Sequence, residues 1–430
     1  MSQAAISPAH PASSASCPAL ETRQAASPKI GLFALVGWNN YGNDGSFEVM
    51  LDFLRKSLPG AELKVICVDA DEIGRRYHMP AIPISWRGSG RGWQRICGRL
   101  SFGLLGKLGN IAHSISKVGQ FDYILIPGTG VLCDYRSSPL GLPYWMLRWC
   151  MSAKLRGVKL FMVSIGAGPI RRPLSRWMLK HAADGADYLS FRDQYSRNYA
   201  VGMGLAVSEA PVFPDLVFKT SVAQTRQRRA VGHGLTVGVG VMSYNGWQGH
   251  KRDDTTIRDA YLNELKRFVI WLLRSGYRVR LLVGEITDNR TATDLRRLVL
   301  EEYGDLSDRV ELAANPPLSL CDVMREVAET DIVVASRFHN IIAALKQERP
   351  TISISYTPKH DELMRDMGLE AFCQPIEQLD ADILTEQFRD LVRTRAGVAR
   401  RIRDRVRDYE AQLAEQDRLL LERLCGSARR

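Results

Sequence analysis

The chain has 430 residues, 45% apolar and 24% charged, with 58 Lys and Arg against 47 Asp and Glu, a net charge of +11. That length accommodates two domains with separate cores, and the composition is that of a globular protein, not a disordered or fibrous one. The positive balance suits acidic substrates or an anionic surface, while the lack of zinc-finger spacing and RNP-type aromatic motifs argues against nucleic acid.

Residues 1–28 are rich in Ala, Ser and Pro and lack the basic start and apolar stretch of a secretory signal, so they read as a disordered tail. From Lys29 onward short β-rich runs alternate with longer helical ones. Strands are expected at Ile30–Val36, Leu63–Val68, Tyr123–Ile126, Lys159–Ser164 and Tyr188–Phe191. A second series follows at Leu235–Val241, Arg278–Val283, Arg309–Leu312, Ile332–Ala335 and Thr351–Ser355. Helices fit between them, as at Phe47–Lys56, Tyr144–Leu155, Tyr261–Leu273 and Ala292–Glu302. This alternation predicts an α/β protein with parallel sheets covered on both faces. The pattern lapses in the polar, basic stretch 221–232, which is taken as a linker. The expectation is two doubly wound, Rossmann-like domains, 29–220 and 233–380, facing a central cleft. Residues 381–430 hold Leu, Ile and Val at near-helical spacing; from Arg389 onward they carry twelve Arg against seven acids. They are expected to form a basic amphipathic helix packed back across the domains.

In the first domain three expected strand ends run into glycine: Gly37 to Gly45 with Asn43 and Asp44, Gly128-Thr129-Gly130, and Gly166-Ala167-Gly168. Glycine permits positive φ and close approach of a ligand to the backbone. None is a Walker A or Gly-x-Gly-x-x-Gly motif, which disfavours kinases and nicotinamide enzymes. The segment 86–107 is basic with interspersed aromatic and aliphatic residues. It reads as a loop over the first domain, with interfacial membrane contact as the functional alternative.

Eight scattered cysteines without a Cys-x-x-Cys pair point to a reducing, cytoplasmic compartment, and no apolar run is long enough to span a membrane. The histidines show no metal-binding spacing, so no metal is expected. The segment from Asp331 to Lys359 reads as strand, polar break, helix and strand, with Arg337 and His339 at the break. A helix start attracts anions, and residues two apart on extended backbone point the same way. Arg337 and His339, with Lys359 downstream, are therefore candidates for holding and protonating a small, doubly anionic substrate. Arg192-Asp193 ends a first-domain strand facing the same cleft. Asp215 either orients an arginine or starts a helix. His360 is a weaker second candidate.

These segments, in order and spacing from Lys29 to Leu369, resemble the polysaccharide pyruvyl transferase family. The matching stretches are Gly37 to Gly45, Asp122 to Asp134, Ser164 to Pro169, Ser190 to Ser196, Pro214-Asp215 and Ser336 to Lys359. The resemblance implies a GT-B-like architecture and transfer of a pyruvyl group from phosphoenolpyruvate to a sugar of a cell-surface polysaccharide or its lipid-linked precursor. The product is a pyruvate ketal, phosphate is released, and neither metal nor cofactor takes part. It implies an acceptor on the first domain and the donor on the second. Catalysis would fall to His339 and Arg337, and substrate binding to Asn43, Asp44, Gly128, Gly130, Gly166, Gly168, Arg192, Asp215 and Lys359. The chain departs from the pattern at Ser46 and Phe47, where an acidic pair is common, leaving Asp44 or Glu48 for any carboxylate role there; Thr129 replaces a central glycine. Two other classes share these features: a GT-B glycosyltransferase using a nucleotide sugar, with Glu285 as its ribose-binding acid, and a non-catalytic binding relative.

Overall fold

Apolar, β-branched runs form two parallel six-stranded sheets in the computed structural model, which describes residues 27–37, 40–86, 104–135, 137–221, 234–246, 256–304, 309–312 and 317–426. Most of the Ala/Ser/Pro-rich tail, the linker stretch 222–232 and residues 87–103 of the basic aromatic segment lie outside the described residues. The first sheet contains β1 (Lys29–Phe33), β2 (Glu62–Cys67), β3 (Ala81–Pro83), β4 (Tyr123–Leu132), β5 (Lys159–Ala167) and β6 (Tyr188–Phe191). Its helices are α1 (Tyr41–Ser57), α2 (Ala70–Tyr77), α3 (Leu104–Val118), α4 (Leu142–Leu155), α5 (Pro173–Ala183) and α6 (Gln194–Gly202). The second sheet contains β7 (Thr236–Val241), β8 (Arg278–Val283), β9 (Val310–Leu312), β10 (Ile332–Ala335), β11 (Thr351–Ser355) and β12 (Cys373–Pro375). Around it lie α7 (Thr256–Arg274), α8 (Asn289–Tyr303), α9 (Leu320–Ala328), α10 (Phe338–Lys346) and α11 (Pro358–Asp366), and the chain ends in α12 (Ala381–Gly426).

The strand orders are β3-β2-β1-β4-β5-β6 and, read from its far edge, β9-β8-β7-β10-β11-β12. Both sheets are therefore wound alike, with the direction reversing between β1 and β4 and again between β7 and β10. Ligands of such sheets bind beyond the carboxyl ends of the strands at these reversals. The inner strands β10 and β11 have no exposed residue, as a sheet covered on both faces requires.

Two expected strand ends are corrected. β4 and β5 do not stop at Ile126 and Ser164 but run on, pairing Thr129 with Ile165 and Leu132 with Ala167. Gly128, Gly130 and Gly166 therefore lie in strands, and of the motif glycines Gly37 alone has positive φ, 81°. The left-handed residue at this edge is instead Ser164, at φ 49°, where the pairing of β5 with β6 slips between Met162 and Ile165. Ten strands were legible from periodicity. The two missed, β3 and β12, are three-residue edge strands, each ending in proline.

At 46 residues, α12 is roughly 69 Å long at 1.5 Å per residue. It begins on the second domain, where Phe388 packs 5.7 Å from Phe268 and 5.2 Å from Tyr277. It ends on the first, where Leu424 accepts from the Tyr123 hydroxyl at 3.0 Å and Asp417 pairs with Lys219. Between these anchors the fully buried Gln416 donates to Ser164 Oγ at 2.9 Å and Ser190 Oγ at 3.0 Å, pinning the distorted stretch of β5. Gln416→Leu strands the Ser164 hydroxyl, while Ser190 Oγ keeps the Ser164 N–H at 2.8 Å, and should cost about 1–3 kcal/mol. Denaturant unfolding checks this, and an unchanged midpoint would remove Gln416 as a support of that stretch.

Candidate active site

Three helices open onto one cleft of about 490 Å³ between the sheets. β10 gives way to α10 at Arg337, β11 to α11 at Thr357, and Gly141 precedes α4; none of these three starts carries a side-chain cap. The Thr357 hydroxyl is engaged by His360 Nδ1 at 2.9 Å instead. At α4, however, the first N–H groups are already taken, Leu142 N by Ser137 Oγ at 3.0 Å and Tyr144 N by the Pro139 carbonyl at 3.1 Å. The starts of α10 and α11 are the ones that offer N–H groups and a partial positive charge to an anion.

His339 stands at this opening, and its imidazole makes no hydrogen bond to another described residue. It packs on the backbone of α1 in the opposite domain: a Cβ added to Gly42 would lie 1.9 Å from its Cε1 and 2.0 Å from its Nδ1. Gly42 is thus the socket for a histidine almost 300 residues away in the chain. Burial, then the charges of Lys359, Arg192 and Arg337, hold the imidazole well below its ordinary range. These surroundings favour the neutral imidazole, a form that accepts a proton.

Arg337 also lines the cleft, but the expectation that its fork grips an anion is corrected. Nε and Nη2 donate to the two carboxylate oxygens of Asp288 at 2.7 and 2.6 Å, and Nη1 lies 2.6 Å from Glu285 Oε2. A bidentate grip of this kind fixes orientation, so Arg337 acts here as a brace between the β8 and β10 ends. Asp288 is fully buried and went unnoticed in the sequence, because it sits in a polar run without periodicity.

The other cations at the cleft are Lys359 and Arg192, the latter ion-paired with Asp215 at 3.1 Å and Asp193 at 3.5 Å. The Lys359 Nζ lies 4.7 Å from the Phe338 ring centre and 5.7 Å from that of Tyr356, and no described carboxylate reaches it. Burial first, and Arg192 second, bring its pKa down from 10.5 to about 7. The Arg192 guanidinium lies 4.9 Å from the centre of the same Phe338 ring and within 2.7 Å of where a Cβ of Gly166 would stand. Phe338 therefore carries two cations on one aromatic side chain. Its importance was hidden because it sits between the two polar residues that drew attention. Asp215 fulfils both of its alternatives: Oδ2 accepts from Arg192 Nη1 at 3.1 Å, and Oδ1 caps the 3₁₀ turn Leu216–Lys219 through Val217 N at 3.1 Å.

Asn43, Gly130, Gly166 and Gly168 line the cleft with these groups. Gly128 does not; it packs against Leu216, 3.2 Å from where its Cβ would be. Asp44 is likewise corrected as a substrate ligand: it is buried behind α1, accepting from Gly37 N and Arg76 Nη1, both at 3.1 Å. Glu48 accepts from the Tyr77 hydroxyl at 2.8 Å, and Phe47 is buried in the core against Tyr77. Neither carboxylate lines the cleft. His360 is structural, bonded at both ring nitrogens to Thr357 and Ser336.

A family model described as polysaccharide pyruvyl transferase matches residues 40–358, nearly three-quarters of the chain. The chain belongs to that family. No curated protein matches its sequence. The family fold is shared with solved structures of other chemistry. A UDP-N-acetylglucosamine 2-epimerase described as putative, from Listeria monocytogenes, aligns with TM-score 0.56 at 11% identity, over 88% of this chain and 91% of that one. The S. aureus MnaA–UDP co-structure gives 0.54 at 11%, over 87% and 90%. A Rickettsia africae glycosyltransferase gives 0.55 at 12%, over 93% and 98%. At such identities the likeness establishes the GT-B fold and nothing of the substrate.

For this family member the Gly42–His339 contact gives a test independent of turnover. Gly42→Ala should destabilise the protein, and His339→Gly in the same chain should restore part of the loss, with a coupling of about 0.5–3 kcal/mol. Additive effects in denaturant unfolding would show that the imidazole does not occupy the Gly42 socket.

Proposed function

We propose that the cleft binds phosphoenolpyruvate and transfers its three-carbon skeleton to a saccharide, forming a pyruvate ketal and releasing phosphate. The observation that carries this reading is the convergence of the α10 and α11 starts with Lys359 and Arg192 on one space, beside a histidine whose imidazole has no hydrogen bond to a described residue. Phosphoenolpyruvate presents a carboxylate and a phosphate on one short skeleton, and separate cationic points match the two groups. Lys359 is assigned to the phosphate and Arg192, oriented by Asp215, to the carboxylate, with the start of α10 completing the cradle.

In the reaction the methylene carbon gains a proton, C2 becomes cationic, and a sugar hydroxyl adds there while losing its proton. A second hydroxyl then attacks C2 and loses its proton, which leaves with the phosphate as the C–O bond to it breaks. His339 is assigned to this proton traffic. Its surroundings favour the neutral form, and it becomes a better base, then a competent acid, when a dianion offsets the surrounding cations. Arg337 keeps Glu285 and the α10 start in place. The acid that a nucleotide-sugar reading would give to a ribose is thus already bound to an arginine, which favours the pyruvyl donor. Ser46 and Phe47, in the core rather than the cleft, do not bear on the donor groups.

A ligand that binds the folded state alone raises the melting temperature. Phosphoenolpyruvate should do so, by on the order of 1.4 kcal/mol for each tenfold excess over Kd, and UDP-sugars should not. Stabilisation by UDP-sugars alone overturns the reading. With candidate saccharides present, inorganic phosphate should appear, and His339→Ala should slow its release roughly 10²–10⁴-fold. Binding without phosphate release across the acceptor panel would favour a non-catalytic relative.

At equilibrium Lys359 adds a second signature. The folded protein holds this lysine at about 7 against 10.5 for the unfolded chain, so the unfolded state binds the extra proton between those values. The residue's penalty on stability is full below pH about 7 and fades as pH rises to 10.5. Lys359→Met should therefore raise the melting temperature at pH 7, with the gain shrinking toward pH 10, while weakening donor binding. A lower melting temperature would mean that the ammonium is not desolvated.

A further inference from the structure

We propose that the α3–α4–α5 face of the first domain is a docking surface for an anionic lipid bilayer. The three helices pack side by side on one face of the first sheet, and none contains an Asp or Glu. The whole stretch 135–183 has nine Lys and Arg and no acid. Lys107, Lys154, Arg156, Arg171 and Arg176 are exposed here, and none has a carboxylate within ion-pair distance among the described residues. On α12, by contrast, arginines are interleaved with acids, and Arg393, Arg403, Arg405 and Arg418 each hold one. This face therefore presents exposed cations with no acid among them.

The same face carries the exposed apolar groups. Of twelve large hydrophobic side chains exposed among the described residues, eight lie on these helices or their adjoining loops. They include Leu108, Leu140, Leu155 at 69% exposure, Leu174 and Trp177 at 52%. A nucleic acid would use the cations but leave the aliphatic groups in water. A bilayer of anionic lipids satisfies both, with Leu and Trp entering the interface and Lys and Arg meeting the headgroups. The described helices contain no segment long and apolar enough to cross a membrane, so the contact is peripheral.

The patch is continuous with the cleft. Leu140 is followed directly by Gly141 and Leu142, which line the cavity at the start of α4. A bilayer on this face would hold the cleft mouth at the height of a sugar attached to a lipid carrier. That last step rests on the saccharide-acceptor reading above; the docking surface itself does not.

The experiment is sedimentation of the full chain with vesicles of phosphatidylcholine alone and of equal parts phosphatidylcholine and phosphatidylglycerol. Wild-type protein should sediment with the anionic vesicles and be released when salt rises from about 0.1 M to 1 M, as the Debye length shrinks from about 10 to 3 Å. Two double variants divide the contributions: Leu174→Ser with Trp177→Ser, and Lys154→Glu with Arg156→Glu. Each should weaken partitioning at least about tenfold, given roughly fivefold per lost cation. Phosphoenolpyruvate stabilisation should be intact in both, so loss of vesicle binding stays separable from failure of the donor reading. Wild-type protein that stays in the supernatant overturns the proposal. So does full binding by either variant, or equal capture of single-stranded nucleic acid that the apolar variant leaves unchanged.

Discussion

Like-charge repulsion governs this cleft. Lys359, Arg192 and His339 are brought together at the starts of α10 and α11, with no described carboxylate on Lys359 or His339 and with Asp215 as the tightest partner of Arg192. Left to itself such a cluster would scatter or neutralise. The structure does some of both: His339 and Lys359 are pushed toward their neutral forms, and Phe338 supplies an aromatic face to two of the cations. What remains is a site short of negative charge, and the proposed binding of a small dianion rests on that shortage.

The rest of the architecture keeps that cluster from relaxing. Asp288 and Glu285 clamp Arg337 and with it the start of α10. Gly42 receives the imidazole from the other domain, and Asn40 and Glu285 form a backbone bridge across the cleft. α12 ties the far side, its Gln416 reaching under β5 to the residue two before Gly166. Site and fold meet at these few points, where the backbone of one lobe is shaped by a side chain of the other.

Much of this was legible in the sequence. Periodicity located ten of the twelve described strands, and the Arg337–His339 pair at a strand–helix junction lines the cleft. Family resemblance, on ordered motifs, identified the fold. What failed was assigning tasks to single side chains. Arg337 looked like an anion ligand because its partners, Asp288 and Glu285, lie almost 50 residues earlier on another strand's loop. Asp44 looked accessible in a glycine-rich motif, yet helix α1 turns it inward to Arg76. The glycines were read as permitting positive φ or the close approach of a ligand, whereas at Gly42, Gly45 and Gly166 it is His339, Leu320 and Arg192 that sit against the backbone. Sequence carries local pattern; these contacts are set by tertiary approach.

The central claim is that a dianion neutralises the clustered cations, and proton uptake on binding tests it most directly. Calorimetric titration of phosphoenolpyruvate at pH 8, repeated in buffers of different ionisation enthalpy, counts the protons exchanged. Since Lys359 rests near pKa 7 when the cleft is empty, it should regain its proton beside the phosphate, giving net uptake that Lys359→Met removes. Binding with no proton exchange, or with release, would contradict the account.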